Sequence, residues 1–568
     1  MRRVRGRGRM APLVAAALAG VGCTVALPAV LGAATEAVLA GGDARVPLSV
    51  LVALLAAAVA AAYALKVAEV ACMSAETVRL RSRLIEHVLA LGVPGERAFA
   101  PGDLASRVVT GASRAAGAAP VLVQLVAGLA TSLGGVAALW LIDWRLVATV
   151  ALAVPAGLAM MRIFVRHASG LVARYQELQG EISTRMLDAL AGIRTVRGAG
   201  TWRREADRIL APLPELAVSG RDLWRAYGRI QGQGTLLVPL TGLAALAVAG
   251  QGVLAGRISP GQMLAVAGYA PMALGLLGQV SMLLGLARLR AGEQRIDEVL
   301  SVPVPERGRR PLPDGPGELR LRGVTVHGTD GPLLEAVDLA VPAGRSVAIV
   351  GRSGAGKTTL AMVAGGLLEP DAGRVLLDGV PLAEADPASL RRAVAYAFER
   401  PRLRGASVAD AIGYGCGTPP RERIEGAAAL AGADRFVRLL PGGYDTPLRE
   451  APMSGGEEQR LGLARAFVRP ARLLVLDDAT SSLDSVTEAQ VAAALARAAA
   501  GRTRLVVAHR AGTAARADLV AWLDGGAVRA VGPHRELWRE RAYRELFEPP
   551  APASRPGGTG SARDEGAP

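Results

Sequence analysis

Long apolar segments dominate the first half of the chain, and short or arginine-rich polar segments separate them. A helix needs roughly 20 mainly apolar residues to cross the hydrocarbon core of a bilayer. Six segments reach that length: about 13–40, 47–72, 118–141, 146–165, 234–255 and 262–286. The pattern therefore predicts six transmembrane helices.

The polar connections between these segments differ in length and charge. Residues 142–145 and 256–259 form short connections, whereas residues 73–117 and 166–230 form long connections that are rich in arginine. Positively charged connections stay predominantly on the cytoplasmic side of a membrane. We therefore expect the long connections and the basic N-terminus in the cytoplasm, to which an even number of spans returns the chain.

The long connections carry helical patterns of their own. Apolar residues recur at helical spacing among charges from Ala75 to Leu91 and from Leu171 to Leu190, which predicts that membrane helices continue beyond the bilayer. Residues 92–95 and 212–214 contain Gly and Pro and are expected to interrupt these extensions. Long cytoplasmic helices are suited to carry motion from a soluble domain to the membrane.

Few charged residues occur within the predicted spans. Glu36 lies near the outer end of the first span, and Lys66 and Glu69 lie near the inner end of the second. An ionisable group inside a membrane is a candidate substrate contact, but Lys66 and Glu69 also have the spacing to pair with each other. Four glutamines would either line a cavity or bond between helices: Gln124, Gln231, Gln233 and Gln279.

The pattern changes after the last apolar segment. Residues 302–317 are rich in Pro, Gly and charge, which predicts a linker after a transmembrane domain over 1–301. Short apolar runs typical of buried strands then alternate with helical patterns over 318–548, which indicates a soluble α/β domain. The Pro-, Gly- and Ala-rich tail, 549–568, is predicted to be disordered.

The composition supports a membrane half joined to a soluble half. Hydrophobic residues make up 51% of the 568 residues and the mean hydropathy is +0.31, yet 20% of the residues are charged. A formal charge of +15 is a feature of nucleic-acid-binding proteins, but the arginines flank apolar segments and aromatic residues make up only 4%. We therefore expect the lipid bilayer, and no nucleic acid, as a partner. Three cysteines are too few and too scattered for a disulfide framework or a metal cluster.

A glycine-rich loop joins a predicted strand, 347–350, to a predicted helix, 360–363. The loop reads Gly351-Arg352-Ser353-Gly354-Ala355-Gly356-Lys357-Thr358-Thr359. Strand, G-x-x-x-x-G-K-T and helix in this order form the phosphate loop of a nucleotide triphosphatase. Backbone N–H groups and the helix N-terminus face the phosphates, Lys357 reaches the β and γ phosphates, and the Thr358 hydroxyl ligates Mg²⁺. The loop predicts that the chain binds a nucleotide.

Lysine use in the chain supports the same interpretation. The chain has two lysines, Lys66 and Lys357, whereas all its other Lys/Arg residues are arginine. A compact, flexible ammonium suits a phosphate cradle better than a planar guanidinium does. A chain that otherwise uses arginine has therefore kept lysine where the phosphate loop requires it.

Two further predicted strands end in polar residues. Residues 473–476 precede Asp477, a carboxylate of the kind that holds Mg²⁺ in phosphate-loop enzymes. Residues 505–508 precede His509, which is placed to reach the γ-phosphate. The sequence therefore predicts that these side chains complete the nucleotide site.

A second anion-binding helix start occurs between them. Ser454 and Glu457 have the spacing of a capping box, so a helix is predicted to begin behind Gly455 and Gly456 with its N–H groups exposed. One domain has little use for a second γ-phosphate cradle unless that cradle serves the nucleotide of a neighbour.

Together these motifs resemble an ATP-binding cassette (ABC) transporter, specifically a half-transporter of the exporter type. GRSGAGKTT resembles the Walker A loop of the family, LLVLDD its Walker B motif, MSGGE its LSGGQ signature, SSLD (481–484) its D-loop, and His509 its switch histidine. Residues 102–107 and 192–196 are similar to the two cytoplasmic connections of the membrane domain. The resemblance implies a membrane α-helical bundle of six transmembrane helices with cytoplasmic extensions, plus an α/β P-loop NTPase domain of ABC type.

The resemblance also implies how the site works. Two nucleotide domains stack head to tail, so Ser454, Gly455 and Gly456 would complete the ATP site of a second half-transporter. Asp478, His509 and Glu399 would be catalytic, and Thr358, Asp477 and Glu399 would hold Mg²⁺. ATP and Mg²⁺ are the implied cofactors, and the implied activity is an ATPase coupled to transport.

Three positions depart from the family pattern. Asp478 stands where the family usually has glutamate, and a carboxylate set back by about 1 Å can cost on the order of 100-fold in rate. Glu399 replaces the Q-loop glutamine, but its carboxylate can still ligate Mg²⁺. No Tyr or Phe occurs at 326–328, where an aromatic residue usually stacks on adenine; His327 would stack there or be solvated.

These departures favour the weakly hydrolysing half of a heterodimeric exporter that moves a small molecule, peptide or lipid-like compound. The alternatives are a homodimer in which Asp478 suffices, a siderophore-type importer on the exporter fold, and a non-hydrolytic ATP-binding regulatory subunit. The expected location is a bacterial plasma (inner) membrane, with the N-terminus and the nucleotide-binding domain in the cytoplasm.

Overall fold

The computed structural model describes residues 7–43, 45–306, 308–328, 331–481, 485–498 and 501–547. The chain divides into two compact units, Met1–Leu89 with Phe99–Val302, and Ala90–Ala98 with Pro303–Pro568. The end of the D-loop motif (482–484) and the predicted disordered tail (549–568) lie outside the described residues.

Helices make up most of the described chain between residues 7 and 301. They are α1 (Arg7–Leu39), α2 (Arg45–Leu91), α3 (Val93–Ala98), α4 (Pro101–Ser106), α5 (Ala112–Ala115), α6 (Ala118–Ile142), α7 (Trp144–Ala191), α8 (Ile193–Gly198), α9 (Trp202–Leu210), α10 (Leu213–Leu254) and α11 (Pro260–Ser301), with a π-helical turn at Arg107–Gly111. Six of these described helices are long, and each contains one of the six predicted spans apart from a terminal residue.

The helices continue beyond the predicted spans as expected. Helix α2 runs unbroken to Leu91, and α7 runs unbroken to Ala191. The predicted interruptions also occur, because α2 ends before Gly92 and α10 begins after Pro212. Both extensions and both breaks are therefore confirmed.

Four described helical stretches are long and apolar enough to cross a membrane. They are Met10–Leu39, Arg45–Leu91, Pro101–Ile142 and Leu236–Leu254, and Trp144–Met160 is a shorter apolar stretch. The sixth predicted span lies in α11, where many side chains from residue 277 onward lie outside the description. Helix α11 packs against α6, α1 and α10, and α7 packs against α10.

Three polar residues of the predicted spans contact one another. Lys66 Nζ lies 2.9 Å from Glu69 Oε2, and Gln124 Nε2 donates to the same oxygen over 3.0 Å. The pairing expected from the spacing is thus present, and a substrate contact by this pair stays a prediction. Glu36 contacts the Ser259 hydroxyl. Gln279 lies against α6, and the side chains of Gln231 and Gln233 lie outside the description.

The second unit is an α/β domain with two sheets. Its strands are β1 (Leu319–Gly328), β2 (Gly331–Val341), β3 (Ser346–Val350), β4 (Ala372–Leu377), β5 (Val380–Pro381), β6 (Val394–Ala397), β7 (Leu473–Asp477), β8 (Thr503–Val507), β9 (Leu519–Asp524) and β10 (Ala527–Gly532). One sheet has the order β2-β1-β4-β5, and the other has the order β10-β9-β3-β8-β7-β6. The five strands from β9 to β6 run parallel to one another, whereas β10 is antiparallel to β9.

Helices of this unit cover the sheets. They are α12 (Lys357–Ala364), α13 (Pro387–Ala393), α14 (Val408–Gly413), α15 (Arg421–Leu430), α16 (Asp434–Arg438), α17 (Gly455–Phe467), α18 (Ser485–Ala498), α19 (Ala511–Ala515), α20 (His534–Leu537) and α21 (Arg541–Arg544). Strands β3 and β7 are buried at every residue, as expected for parallel strands covered on both faces. The predicted strands at 347–350, 473–476 and 505–508 are confirmed, except that β8 ends one residue early.

The second half of the predicted linker runs along the α/β domain. Arg310 forms a parallel β-bridge with Ala385, and the N–H groups of Leu312 and Gly317 donate to Ser389 Oγ and Asp378 Oδ1. These bonds hold the segment between residue 308 and β1 against the domain. The predicted boundary at 317 therefore falls within a segment that already contacts the domain.

Candidate nucleotide-binding site

Four parallel strands carry the predicted site residues at one edge of the larger sheet. Strand β3 leads into the glycine-rich loop, β8 ends two residues before His509, β7 ends at Asp477, and β6 ends two residues before Glu399. Because the strands lie in the order β3-β8-β7-β6 and all run the same way, their carboxyl ends meet at one edge. Ligands of open α/β sheets bind at this edge.

The loop holds the ammonium of its lysine against two backbone carbonyls. Lys357 is buried, and its Nζ donates to the carbonyls of Gly351 and Arg352, each over 2.9 Å. Gly356 has φ +92°, and a Cβ there would lie 2.5 Å from the Leu333 carbonyl oxygen, so this turn requires glycine. Burial lowers the pKa of Lys357, and the charges of Asp478 and Asp477 partly offset that effect.

Arg352, Ser353 and Gly354 form the exposed outer part of the loop, whereas Ala355 and Thr359 face the core. Helix α12 begins at Lys357 directly behind Gly356, so its first N–H groups point toward the space inside the loop. A phosphate placed there would meet unpaired backbone donors, the positive end of α12 and the Lys357 ammonium.

Asp477 has hydrogen-bond donors on both carboxylate oxygens. Thr358 Oγ1 donates to Oδ1 over 3.2 Å, and the Tyr396 hydroxyl donates to Oδ2 over 3.0 Å. Burial raises the pKa of Asp477, and both hydrogen bonds counteract the shift. A hydroxyl and a carboxylate beside a phosphate cradle are hard oxygen donors of the kind that Mg²⁺ takes together with phosphate oxygens and waters. The residues present therefore fit Mg²⁺.

Asp478 follows in an unusual backbone conformation. Its φ is +49°, in the left-handed region that Asn, Asp and Gly tolerate best. Burial raises the pKa of Asp478 to about 6, and the charges of Glu399 and Asp477 act in the same direction. Asp478 Oδ2 lies 3.9 Å from His509 Nε2. The carboxylate and the imidazole thus face the same small space.

The last two predicted site residues, His509 and Glu399, differ in their surroundings. Burial lowers the pKa of His509, with a further contribution from the Lys357 charge, which favours a neutral ring. Glu399 is half exposed, and its carboxylate lies 3.8 Å from Arg400 Nε. Glu399 is close enough to raise the pKa values of both aspartates, but no hydrogen bond joins its described side chain to Thr358 or Asp477.

The second predicted anion-binding position is a capped helix start. Ser454 is the N-cap of α17, and it forms the predicted capping box with Glu457, which is confirmed. Glu457 Oε2 accepts from the Ser454 N–H over 2.7 Å. Ser454 and Gly455 are exposed, so this helix start is open to a ligand from outside the unit.

Two polar residues near the site were not anticipated from the sequence. Gln459 is buried in α17 and donates to the Glu399 carbonyl over 2.7 Å and to Ser481 Oγ over 2.9 Å, so it links three motifs. Tyr396 lies within the short strand Val394–Ala397. A tyrosine in an otherwise aliphatic strand is itself a signal, because a buried phenol needs a partner for its hydroxyl.

His327 is an exposed residue of β1. Its Nδ1 is 3.2 Å from Asp371 Oδ2, and the imidazole is 63% exposed. The pairing with Asp371 accounts for this histidine as a surface side chain, and a stacking role on adenine stays a prediction.

Comparison with known proteins is consistent across both halves of the chain. The family model described as "ABC transporter transmembrane region" matches residues 12–277, and that described as "ABC transporter" matches residues 334–481. The ABC transporter ATP-binding protein RamA of Streptomyces coelicolor is 46% identical over 96% of this chain and 86% of its own length. An ATP-dependent lipid A-core flippase of Pseudomonas fluorescens is 33% identical over 80% of this chain and 77% of its own length.

A solved structure has the same fold. The ATP-bound structure of a bacterial Atm1-family ABC exporter superposes with a TM-score of 0.75 and 25% identity, covering 96% of this chain and 98% of that one. The predicted six-helix membrane domain fused to an α/β P-loop domain is thereby confirmed, and so is an ATPase coupled to transport. The chain belongs to the ABC transporter family, as a membrane-spanning half-transporter with the exporter fold.

Proposed function

We propose that this half-transporter is the weakly hydrolysing member of a heterodimeric, ATP-driven exporter. The observation that carries the proposal is Asp478, which holds a shorter carboxylate at the position that aligns the attacking water. Its left-handed backbone fixes the direction of that short side chain. The resulting misplacement slows hydrolysis at this site and leaves the phosphate loop intact for binding.

The roles of the other site residues follow from their positions. The loop 351–359 binds the triphosphate through backbone N–H groups and the Lys357 ammonium. Thr358, Asp477 and Glu399 would hold Mg²⁺, which supplies charge neutralisation between the phosphates. Asp478 orients the water, and His509 donates a hydrogen bond toward the γ-phosphate. Each of these steps uses a group already present at the strand ends.

ATP acts in this proposal as a ligand of the closed dimer. Its γ-phosphate contacts the loop of one chain and the capped start of α17 of the other chain, so those contacts exist only when the two nucleotide domains meet. A ligand shifts a two-state equilibrium by its difference in affinity for the two states. The long helices α2 and α7 then convey closure to the membrane domain.

Substitution of Ser454 tests whether this chain completes the ATP site of the partner half. We expect Ser454→Ala, in complex with the partner half, to slow hydrolysis at the partner's site by roughly 100-fold, because the hydroxyl that is proposed to donate to the phosphate is lost. ATP affinity at the chain's own loop should not change. The measurement is the steady-state ATPase rate of the complex, together with binding of a labelled ATP.

Ser407 provides a matched control, because it is also an N-cap serine with a capping box, in α14. Ser407→Ala removes the same kind of cap, worth about 1 kcal/mol, without touching a proposed ligand. Equal losses of ATPase rate in the two variants would indicate simple destabilisation and contradict the role proposed for Ser454.

The substrate class that we favour is a lipid-like amphiphile, since flippases of a lipid are among the relatives. We propose that the long connections and the nucleotide-binding domain lie on the cytoplasmic side of a bacterial inner membrane, because arginine-rich connections favour that side. In inside-out vesicles the nucleotide-binding domain then faces the medium, and export appears as uptake.

The direction of transport is therefore testable in vesicles. We expect ATP-dependent accumulation of a fluorescent phospholipid analogue in the lumenal leaflet of inside-out vesicles that contain the heterodimer. Lys357→Ala on this chain, combined with the same loop change in the partner, is the control without transport. ATP-dependent movement in right-side-out vesicles loaded with ATP, toward the inner leaflet, would instead support the importer alternative.

A further inference from the structure

The hydroxyl of Tyr396 donates a hydrogen bond to Asp477, whose carboxylate is proposed to ligate Mg²⁺. It donates to Asp477 Oδ2 over 3.0 Å, on the side opposite Thr358, whose hydroxyl is 3.2 Å from Oδ1. With a donor on each oxygen, the carboxylate plane of Asp477 has one orientation. Asp477 itself is 4% exposed, so bulk water does not compete strongly for these positions.

Packing fixes the position of the Tyr396 ring, just as a hydrogen bond fixes its hydroxyl. Tyr396 packs against the core between the two sheets, and its ring centroid lies 4.4 Å from that of Phe398. Gly365, just after α12, leaves the room that the ring uses, since a Cβ there would lie 2.9 Å from Tyr396 Cδ2. Burial and the Asp477 charge raise the pKa of Tyr396, so the phenol keeps its proton and remains a donor.

We propose that Tyr396 is a positioning residue for the metal site, which fixes the Asp477 carboxylate through its hydroxyl and thereby strengthens Mg²⁺ binding to the nucleotide-loaded chain. This inference rests on the proposed role of Asp477 in holding Mg²⁺. Groups that orient a ligating carboxylate by a hydrogen bond typically affect metal affinity by roughly 10- to 100-fold when they are removed.

The bond also connects the metal site to β6, the strand that leads to Glu399. Tyr396 and Glu399 are three residues apart on one strand and the loop after it. The Tyr396 hydroxyl therefore adds a side-chain link between the ends of β6 and β7, which are already paired through their backbones, beside the phosphate loop. The segment after β6, which contains Glu399, is therefore anchored next to the proposed Mg²⁺ site by the Tyr396–Asp477 bond.

The test is the effect of Mg²⁺ on nucleotide affinity in Tyr396→Phe. The dissociation constant of a labelled ATP is measured for the full chain with saturating Mg²⁺ and again with EDTA. The ratio of the two constants reports the coupling between metal and nucleotide. We expect Tyr396→Phe to reduce this ratio by about 10-fold relative to wild type and to leave the affinity in EDTA unchanged.

Tyr444 supplies a matched control in the same unit. Its buried hydroxyl donates to Asp434 Oδ1 over 2.7 Å, among helices α15 to α17 rather than at the proposed metal site. Tyr444→Phe removes the same kind of tyrosine–aspartate bond and should leave the Mg²⁺ ratio at the wild-type value.

Three other outcomes are distinguishable. A wild-type ratio in Tyr396→Phe overturns the role of Tyr396 and leaves the proposed Mg²⁺ site standing. Equal weakening in Mg²⁺ and in EDTA shows damage to the phosphate loop, and it also overturns the inference. Absence of any Mg²⁺ effect in the wild-type chain overturns the proposed metal site itself, and the role of Tyr396 falls with it.

Discussion

Asp478→Glu should raise the ATP turnover of the purified chain by on the order of 100-fold, because a longer side chain restores about 1 Å of missing reach toward the water. In a chain paired with a second copy of itself, Ser454–Gly456 of one copy would complete the site of the other, so the effect would be measurable without the partner half. The measurement is the steady-state ATPase rate of the detergent-solubilised or reconstituted chain at saturating ATP and Mg²⁺.

The local backbone makes this an informative substitution. Asp478 has φ +49°, and glutamate is less tolerant of that conformation than aspartate, at a cost of about 1 kcal/mol. The Asp478→Glu variant is therefore expected to melt at a slightly lower temperature while it turns over faster. A gain in rate that opposes a loss in stability cannot arise from a generally better-folded protein.

Asp478→Asn gives the matched control, because it keeps the length of the side chain and removes its charge. We expect its ATPase rate to stay at or below the wild-type rate, with ATP binding retained. High activity of the wild-type chain alone, with no gain from glutamate, would contradict the weakly hydrolysing half and would favour the homodimer.

Much of the membrane half could be predicted because the bilayer strictly limits the length and polarity of a helix that crosses it. A span must be long and apolar, so the six segments emerged from hydropathy alone, and Gly92 and Pro212 marked the ends of helices. What could not be predicted is which polar groups meet across helices. Gln124 and Glu69 are 55 residues apart in the chain, and their contact depends on how two helices are rotated, which periodicity does not specify.

The nucleotide site shows the same division between local and long-range information. The phosphate loop, the capping box at Ser454 and the two aspartates at the end of β7 were predictable because each is encoded by a few adjacent residues. Tyr396 and Gln459 were missed because their partners lie 81 and 60 residues away, respectively, in the chain. Their roles arise from the order of strands in the sheet, which brings distant strand ends to one edge.

Lys357→Ala should weaken ATP binding by the chain by roughly 10- to 100-fold, since a hydrogen bond to a charged group is worth about 1.5–3 kcal/mol. In the structure the ammonium is already oriented, with Nζ 2.9 Å from the carbonyls of Gly351 and Arg352. Alanine removes both the charge and the donor of these two hydrogen bonds. Equilibrium binding of a labelled ATP to the full chain measures the loss.

Lys66→Ala is the control for Lys357→Ala, because Lys66 is the other lysine of the chain and lies in α2 with its side chain 70% exposed. It should leave ATP affinity unchanged. Lys357→Arg adds a stricter comparison: it retains the charge, but a larger, planar guanidinium has to replace the compact ammonium that two loop carbonyls bind. We expect Lys357→Arg to bind ATP almost as weakly as Lys357→Ala, whereas wild-type affinity in either variant would contradict the proposed phosphate contact.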